Sequence, residues 1–184
     1  FKKKLEDKVQ LKDNLMSTIN INELEKIVNS ELTSKIQKSV IANNELLIET
    51  SVEELLNTIQ FLKSKDRCRF RQLIDIAGVD YPNEEKRFKL VYLLLSHENN
   101  LRIKVSINFE VDKKIPSVTK IFSSANWMER EVFDMYGIKF VNHPDLRRIL
   151  TDYDFKGHPL RKDFPLTGHN EVRYNEENKK VIYE

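Results

Sequence analysis

Cysteine is almost missing from this chain. Cys68 is the only one in 184 residues, so no disulfide closes within the chain. Nor can the chain alone hold an iron–sulfur cluster, which takes about four ligands. Glycine is scarce as well. Gly78, Gly137, Gly157 and Gly168 are the four present, too scattered for a phosphate-cradling loop or a dinucleotide fingerprint. No apolar run exceeds six residues, Leu90 to Leu95, against the roughly 20 that a membrane span needs. Membrane attachment would therefore be peripheral, through something larger. No signal-peptide core stands near the start, although a chain opening on Phe1 is expected to have lost residues before it. An excess of one charge is lacking too: 31 basic against 29 acidic residues leave a net charge of +2. A dedicated nucleic-acid or anionic-lipid surface would show a basic bias.

What is present is an ordinary soluble balance, 33% charged and 40% apolar, in a length suited to one domain with extensions. Lysine dominates the basic residues: the first 66 residues hold ten Lys and no Arg. With 21 Lys, 16 Asn and 16 Ile overall, the chain reads as the product of an AT-rich genome. Asn126 to Gly168 breaks that trend, with four Arg (Arg130, Arg147, Arg148, Arg161) against three Lys. Arg is not replaceable by Lys where a planar fork is required, so these arginines are expected to make bidentate or stacked contacts. Chance, with counts this small, is the plainer alternative. The same stretch carries three of the five prolines and three of the four glycines. A long irregular segment of this kind lies against something.

The periodicities give an α+β class: a small antiparallel or mixed sheet with helices packed on it, followed by an extended C-terminal arm. Residues 1–21 read as an N-terminal arm or loose helix, 22–140 as the folded domain and 141–184 as an interaction segment. A capping box at Asn22 to Glu25 starts a helix over 23–38. Glu45 to Thr50 is a short strand, and Ser51 to Glu54 caps a helix ending near 64. Phe70 to Val79 reads as a helical turn and a short extended piece. Arg87 to Ser96 resembles a strand buried on both faces. Leu101 to Ile107 alternates as a strand with one wet face, and the two make a hairpin. Ser117 to Phe122 reads as a short helix. Asn126 to Glu129 is a third capping box, opening a helix with Met128, Val132, Met135 and Tyr136 on one stripe and Gly137 at its C-terminal cap. Glu171 to Glu184 allows a hairpin around Asn175 to Lys180.

Candidate chemistry is thin. Glu129, Arg130, Glu131 and Asp134 offer acid–base groups, but a solvated helix face with an Arg130–Asp134 pair is the simpler reading. His143, Asp145, His158, Asp163 and His169 are metal-capable but fit no standard ligand spacing. The His143-Pro144 and His158-Pro159 steps favour extended backbone at the His. Cys68, between Arg67 and Arg69, has no base beside it and reads as a plain thiol. Seven basic and seven acidic residues in Asn126 to Gly168, interleaved with Tyr153, Phe155 and Phe164, favour salt-bridged contact with another protein over nucleic acid. Folding back over its own domain is the alternative.

Trp127-Met128-Glu129-Arg130-Glu131-Val132-Phe133-Asp134-Met135-Tyr136-Gly137-Ile138, His143-Pro144-Asp145-Leu146-Arg147-Arg148-Ile149-Leu150 and Gly157-His158-Pro159-Leu160-Arg161-Lys162-Asp163-Phe164-Pro165-Leu166 resemble the signature of the 30-kDa subunit family of respiratory complex I, which includes the C-subunit of the bacterial NADH:quinone oxidoreductase. Ile76 to Pro82, Arg87 to Leu94 and Glu171 to Tyr174 are similar too, so the resemblance runs over about 45–184. In that family the tail continues beyond the position of Glu184. The resemblance implies a non-catalytic core subunit of the peripheral, matrix-side arm, with no catalytic, cofactor or metal residues. NADH, FMN, iron–sulfur clusters and ubiquinone would belong to other subunits. The chain would scaffold the hydrogenase-like, 49-kDa-type quinone-site subunit, beside iron–sulfur subunits, in a complex that oxidises NADH, reduces ubiquinone and pumps protons. Carried over by motif, the partner interface would comprise Trp127, Glu129, Arg130, Glu131, Asp134, Gly137, His143, Pro144, Arg147, Arg148, His158, Pro159, Arg161, Lys162, Asp163, Phe164 and Pro165. The Lys, Asn and Ile bias, with the similarity to the family's mitochondrially encoded form (subunit nine), implies a mitochondrial gene and inner-membrane location, with an AT-rich bacterium, and so the cytoplasmic face of a bacterial membrane, as the alternative. An equivalent subunit of a membrane-bound hydrogenase or ferredoxin-driven complex, or a stand-alone carboxylate/histidine hydrolase, are the competing readings.

Overall fold

The computed structural model describes residues 18–152, 154–168 and 171–183. Most of the expected N-terminal arm, and with it Tyr153 and His169, lies outside them. In chain order the elements are α1 (Ile21–Glu31), β1 (Ile36–Ala42), β2 (Glu45–Thr50), α2 (Leu55–Ser64), β3 (Gln72–Asp80), β4 (Phe88–Ser96), β5 (Leu101–Phe109), β6 (Ile115–Pro116), α3 (Ala125–Tyr136), β7 (Phe140–Val141), β8 (Val172–Asn175) and β9 (Lys180–Tyr183). A five-stranded sheet has the order β1-β2-β5-β4-β3. β1 and β2 are antiparallel, while β2 runs parallel to β5. The short β3–β4 and β4–β5 connections leave no room for a crossover, so those neighbours are antiparallel. The sheet is mixed and the class is α+β, as expected.

Two compact units divide the chain: residues up to 75 with 91–107, and 76–90 with 108 onward. In the first, α1 buries Leu24 and Val28 and α2 buries Leu55, Ile59 and Leu62. Leu46 and Ile48 of β2 sit beside Ile103 and Val105 of β5 and are buried with them. Each such side chain contributes roughly 1.5–3 kcal/mol. Asn20 caps α1, accepting the Glu23 N–H at 2.9 Å, so the cap lies upstream of the expected Asn22 box. α1 ends at Glu31 rather than 38, because 36–42 is drawn into β1. The signal for that strand is Asn43-Asn44, both at positive φ (52° and 60°), a two-residue turn that joins antiparallel strands. Phe70 to Val79 likewise holds one continuous strand from Gln72 instead of a helical turn. β4 alternates between buried and half-buried residues, so only one of its faces is sealed. Burial pushes the Cys68 thiol up to about 11, in keeping with an inert core residue.

In the second unit, Ile115 of β6 pairs in parallel with Phe140 of β7, and α3 is the connection between them. Ser117 to Phe122 forms only a turn closed by Phe122 N–H to Val118 O at 2.8 Å, not a helix. Phe88 stacks with Phe109 and meets Tyr136 edge-on, centroids 6.2 and 6.4 Å apart. Gly78 leaves room for that Tyr136 ring, which a Cβ would approach to 2.6 Å. β8 and β9 form the C-terminal hairpin, with Asn175 opposite Lys180.

Candidate functional site

The irregular segment after β7 lies on α3 of its own unit. Helix α3 buries Val132 and Met135 and stops at Gly137, whose φ of 76° places it in the left-handed region that favours glycine. A helix leaves its last carbonyls without intrahelical partners. Here the later segment supplies donors for three in a row. His158 Nδ1–H donates to Asp134 O at 2.9 Å, the Leu160 N–H to Met135 O at 3.1 Å, and Arg161 Nε–H to Tyr136 O at 2.6 Å. Gly137 is also a steric requirement: a Cβ there would lie 2.5 Å from His158 Nε2 and 2.6 Å from an Arg161 nitrogen. Burial, opposed by the bond to the Asp134 carbonyl and helped by the Arg161 and Arg148 charges, holds His158 below its usual pKa.

Asp134 is the second anchor. Its Oδ2 accepts the N–H groups of Ile149, Leu150 and Thr151 at 3.0, 2.8 and 2.9 Å. Its Oδ1 accepts from the Thr151 hydroxyl at 2.6 Å and Arg148 Nη1 at 2.7 Å. Burial alone would push this carboxyl up, but the Thr151 hydroxyl and the three backbone donors hold it well below the carboxylate range. Arg130 donates to the Arg147 and Arg148 carbonyls at 3.1 and 2.9 Å and lies over the Trp127 ring. The expected solvated face with an Arg130–Asp134 pair is thus replaced. Glu129, Arg130 and Asp134 are all buried, and the two last each bind the later segment.

A third anchor comes from residues that sequence reasoning did not single out. Asp80, at the end of β3, takes a forked pair of bonds from Arg87 at 2.6 and 2.8 Å and the Lys162 N–H at 2.7 Å. Arg87 also reaches Asp163 at 2.9 Å. The Arg87 bonds, against some desolvation, hold the Asp80 carboxyl low. Arg87 and Arg161 both stack on Phe88, at 5.4 and 5.3 Å, and Arg148 stacks on Phe155. The Arg preference in Asn126 to Gly168 anticipated the two-pronged contact of Arg130 and the stacking of Arg130, Arg148 and Arg161; the Arg87 fork lies outside that stretch, and Arg147 makes an exposed ion pair with Asp145. Asp80 and Arg87, flanking Tyr81-Pro82, are the available signal, an opposite-charge pair across a turn.

Glu129 does not close a capping box. Ser124 stands at the N-cap with no side-chain bond, and Glu129 is fully buried, its Oε1 accepting the Val118 N–H at 2.7 Å. His143 lies beside it, Nε2 at 3.9 Å from Glu129 Oε2. Of the other interface candidates, Trp127 (64% exposed), Glu131, Pro144, Arg147, Lys162, Asp163 and Pro165 face outward. Pro159 is half-buried, and Phe164 is half-buried against Phe155, centroids 5.8 Å apart. Among the described residues, no group of three His, Cys, Asp or Glu could hold a metal ion, and no helix is long and apolar enough to cross a membrane. The buried charges are used in fixing a surface.

Residues 48–170 match the family model described as respiratory-chain NADH dehydrogenase, 30 Kd subunit. The NADH-quinone oxidoreductase C-subunit of Rhodospirillum rubrum is 50% identical over 165 residues, 90% of this chain and 78% of its own. That of the Wolbachia of Brugia malayi is 56% identical over 138 residues, 75% of this chain and 73% of its own. Among solved structures, the trypsin-resistant fragment (1-134) of Nqo5 aligns with a TM-score of 0.58 and 29% identity, covering 67% of this chain and 98% of the fragment. A chain of an archaeal membrane-bound sulfane sulfur reductase shares the fold, with a TM-score of 0.66 at 24% identity over 87% of this chain and 99% of its own.

Proposed function

The chain belongs to the 30-kDa subunit family of respiratory-chain NADH dehydrogenase, and from that premise we propose that it is the corresponding core subunit of an NADH–quinone oxidoreductase. Its part is structural. It carries no redox cofactor and no active site, and supports electron transfer from NADH to quinone by holding neighbouring subunits in place. The complex it serves translocates protons. Its immediate partners are the hydrogenase-like 49-kDa-type quinone-site subunit and adjacent iron–sulfur subunits. It sits peripherally on the matrix side of the mitochondrial inner membrane; the bacterial relatives make the cytoplasmic face of a bacterial membrane the second reading.

The observation that carries this is the fate of the polar groups on α3. Asp134, Arg130, His158 and Arg161 are satisfied inside the chain, and their bonds hold an irregular segment that exposes Leu150, Leu160 and Leu166, with Trp127 exposed on α3. Exposed aromatic and aliphatic residues on a rigid support are the composition of an interface core. Of the motif residues, Trp127, Glu131, Pro144, Arg147, Lys162, Asp163 and Pro165 are the direct contacts; Glu129, Arg130, Asp134, Gly137, His143, Arg148, His158, Pro159, Arg161 and Phe164 shape the surface beneath. Purification in mild detergent, with native mass measurement of what accompanies the chain, tests the reading. A 49-kDa-type subunit and cluster-bearing subunits are expected. A nickel-bearing hydrogenase neighbour, or an isolated chain with turnover of its own, would overturn it.

A further inference from the structure

We infer that Glu129 and His143 form a buried, proton-linked latch that sets how firmly the 142–146 corner after β7 is tied to the His143 ring. Both side chains are completely buried. Glu129 Oε2 has no hydrogen-bond partner among the described residues, an arrangement that native interiors rarely tolerate without a reason. His143 Nε2 stands 3.9 Å from that oxygen. That nitrogen is 3.1 Å from the Asn126 carbonyl, which can only accept, so Nε2 carries the hydrogen. The other ring nitrogen, Nδ1, accepts the Asp145 N–H at 3.0 Å. Both nitrogens are therefore committed as in a neutral imidazole, which leaves Glu129 as the group of the pair that gains or loses a proton.

The surroundings leave few competitors. From the turn after β6, Glu129 meets the Val118 N–H and the Ser117 hydroxyl. From the segment after β7 it meets His143. On its own helix, Arg130 is turned to the Arg147 and Arg148 carbonyls, while Asp145 and Arg147 pair with each other at 2.8 Å. Once Glu129 loses its proton, the unpaired oxygen attracts the Nε2–H away from Asn126. The imidazole must swing to follow, and Nδ1 leaves the Asp145 N–H. The 142–146 corner then loses the Asp145 N–H bond to the ring, while the ring exchanges its bond to Asn126 for one to Glu129. Burial supports a transition near neutral pH, since it raises the Glu129 carboxyl to about 7.

Carbon-13 detection of the Glu129 carboxyl in the full chain, with amide hydrogen exchange at Asp145 corrected for its intrinsic pH dependence, provides the test. A Glu129 midpoint within the pH 6–8 range is expected, with Asp145 protection falling about tenfold through the same midpoint, the order of one lost hydrogen bond. Glu129→Gln should hold Asp145 protection constant across the range. A Glu129 midpoint below pH 5, a flat Asp145 profile in the native chain, or an unchanged transition in Glu129→Gln would each overturn the latch. If that variant does not fold, the two profiles of the native chain decide the matter.

Discussion

Asp134 receives five hydrogen bonds from residues 148–151, so its carboxylate organises the segment in a way no neutral group of that size can. Asp134→Asn removes the charge and leaves Arg148 without its carboxylate partner. A loss of about 3–5 kcal/mol is expected, read as a shift in the urea midpoint with rapid exchange at Ile149, Leu150 and Thr151. The sign of its pH dependence follows from a folded pKa below the unfolded one. Its contribution is present above the unfolded value near pH 4 and is lost as pH falls through the folded value. Glu129 runs the other way. Its folded pKa, about 7, stands above the ordinary 4.5. The folded state therefore bears a cost that grows from pH 4.5 to pH 7 and is complete above it. Glu129→Gln should accordingly gain stability over the native chain at pH 8 and much less at pH 4, compared by urea unfolding at both. Position 137 gives a third expectation. Gly137→Ala should cost about 1–2 kcal/mol for the left-handed backbone alone, and more for the displaced His158 and Arg161, measured as a lower melting temperature.

At the scale of elements, α3 is a helix finished by residues more than twenty positions later. Its own sequence marks the end well: Gly137 after a Met135-Tyr136 stripe is a C-terminal signature. The donors to its terminal carbonyls are not legible in the same way, because His158, Leu160 and Arg161 stand in a stretch with no period to place them. The same limit explains Asp134 and Glu129. A carboxylate on a short charged helix reads as solvated until a second segment covers it. Capping boxes mislead for a related reason. Glu129 has the right spacing from Asn126, but the Val118 N–H offers it a buried partner instead. Strands are legible where turn chemistry is strong, as at Asn175 to Lys180. At β1 the Asn43-Asn44 turn signal is overridden by Leu32 and Ile36, which continue a helical spacing past the end of α1. Arg161→Lys tests the capping role. Lysine keeps the charge but lacks the fork that reaches Tyr136 O while stacking on Phe88, so a loss of about 1.5–3 kcal/mol is expected, with faster exchange in the last turn of α3.

For the whole molecule, composition speaks against bound cofactors and nucleic acid, and the ordered motifs indicate the family. Sequence does not separate residues that touch a partner from residues that shape the touching surface, since both kinds share the same motifs. Burial suggests a division: Arg161 and Asp134 are committed within the chain, whereas Trp127 and Arg147 present exposed side chains. Changes at the first pair should unfold the segment. Changes at the second pair should leave the isolated chain's melting temperature within about 2 °C, since surface substitutions seldom exceed roughly 0.5 kcal/mol.

On our reading, this chain supplies structure to the oxidoreductase and takes no part in its chemistry. The most direct measurement replaces the native chain with Trp127→Ala or Arg147→Ala and determines two quantities in the same membranes: the amount of assembled complex, and NADH–quinone turnover per assembled complex. Loss of an interface anchor costs about 2 kcal/mol or more, so the assembled amount should fall while turnover per complex stays at the native value. Normal amounts of complex with slowed turnover would contradict the scaffolding role.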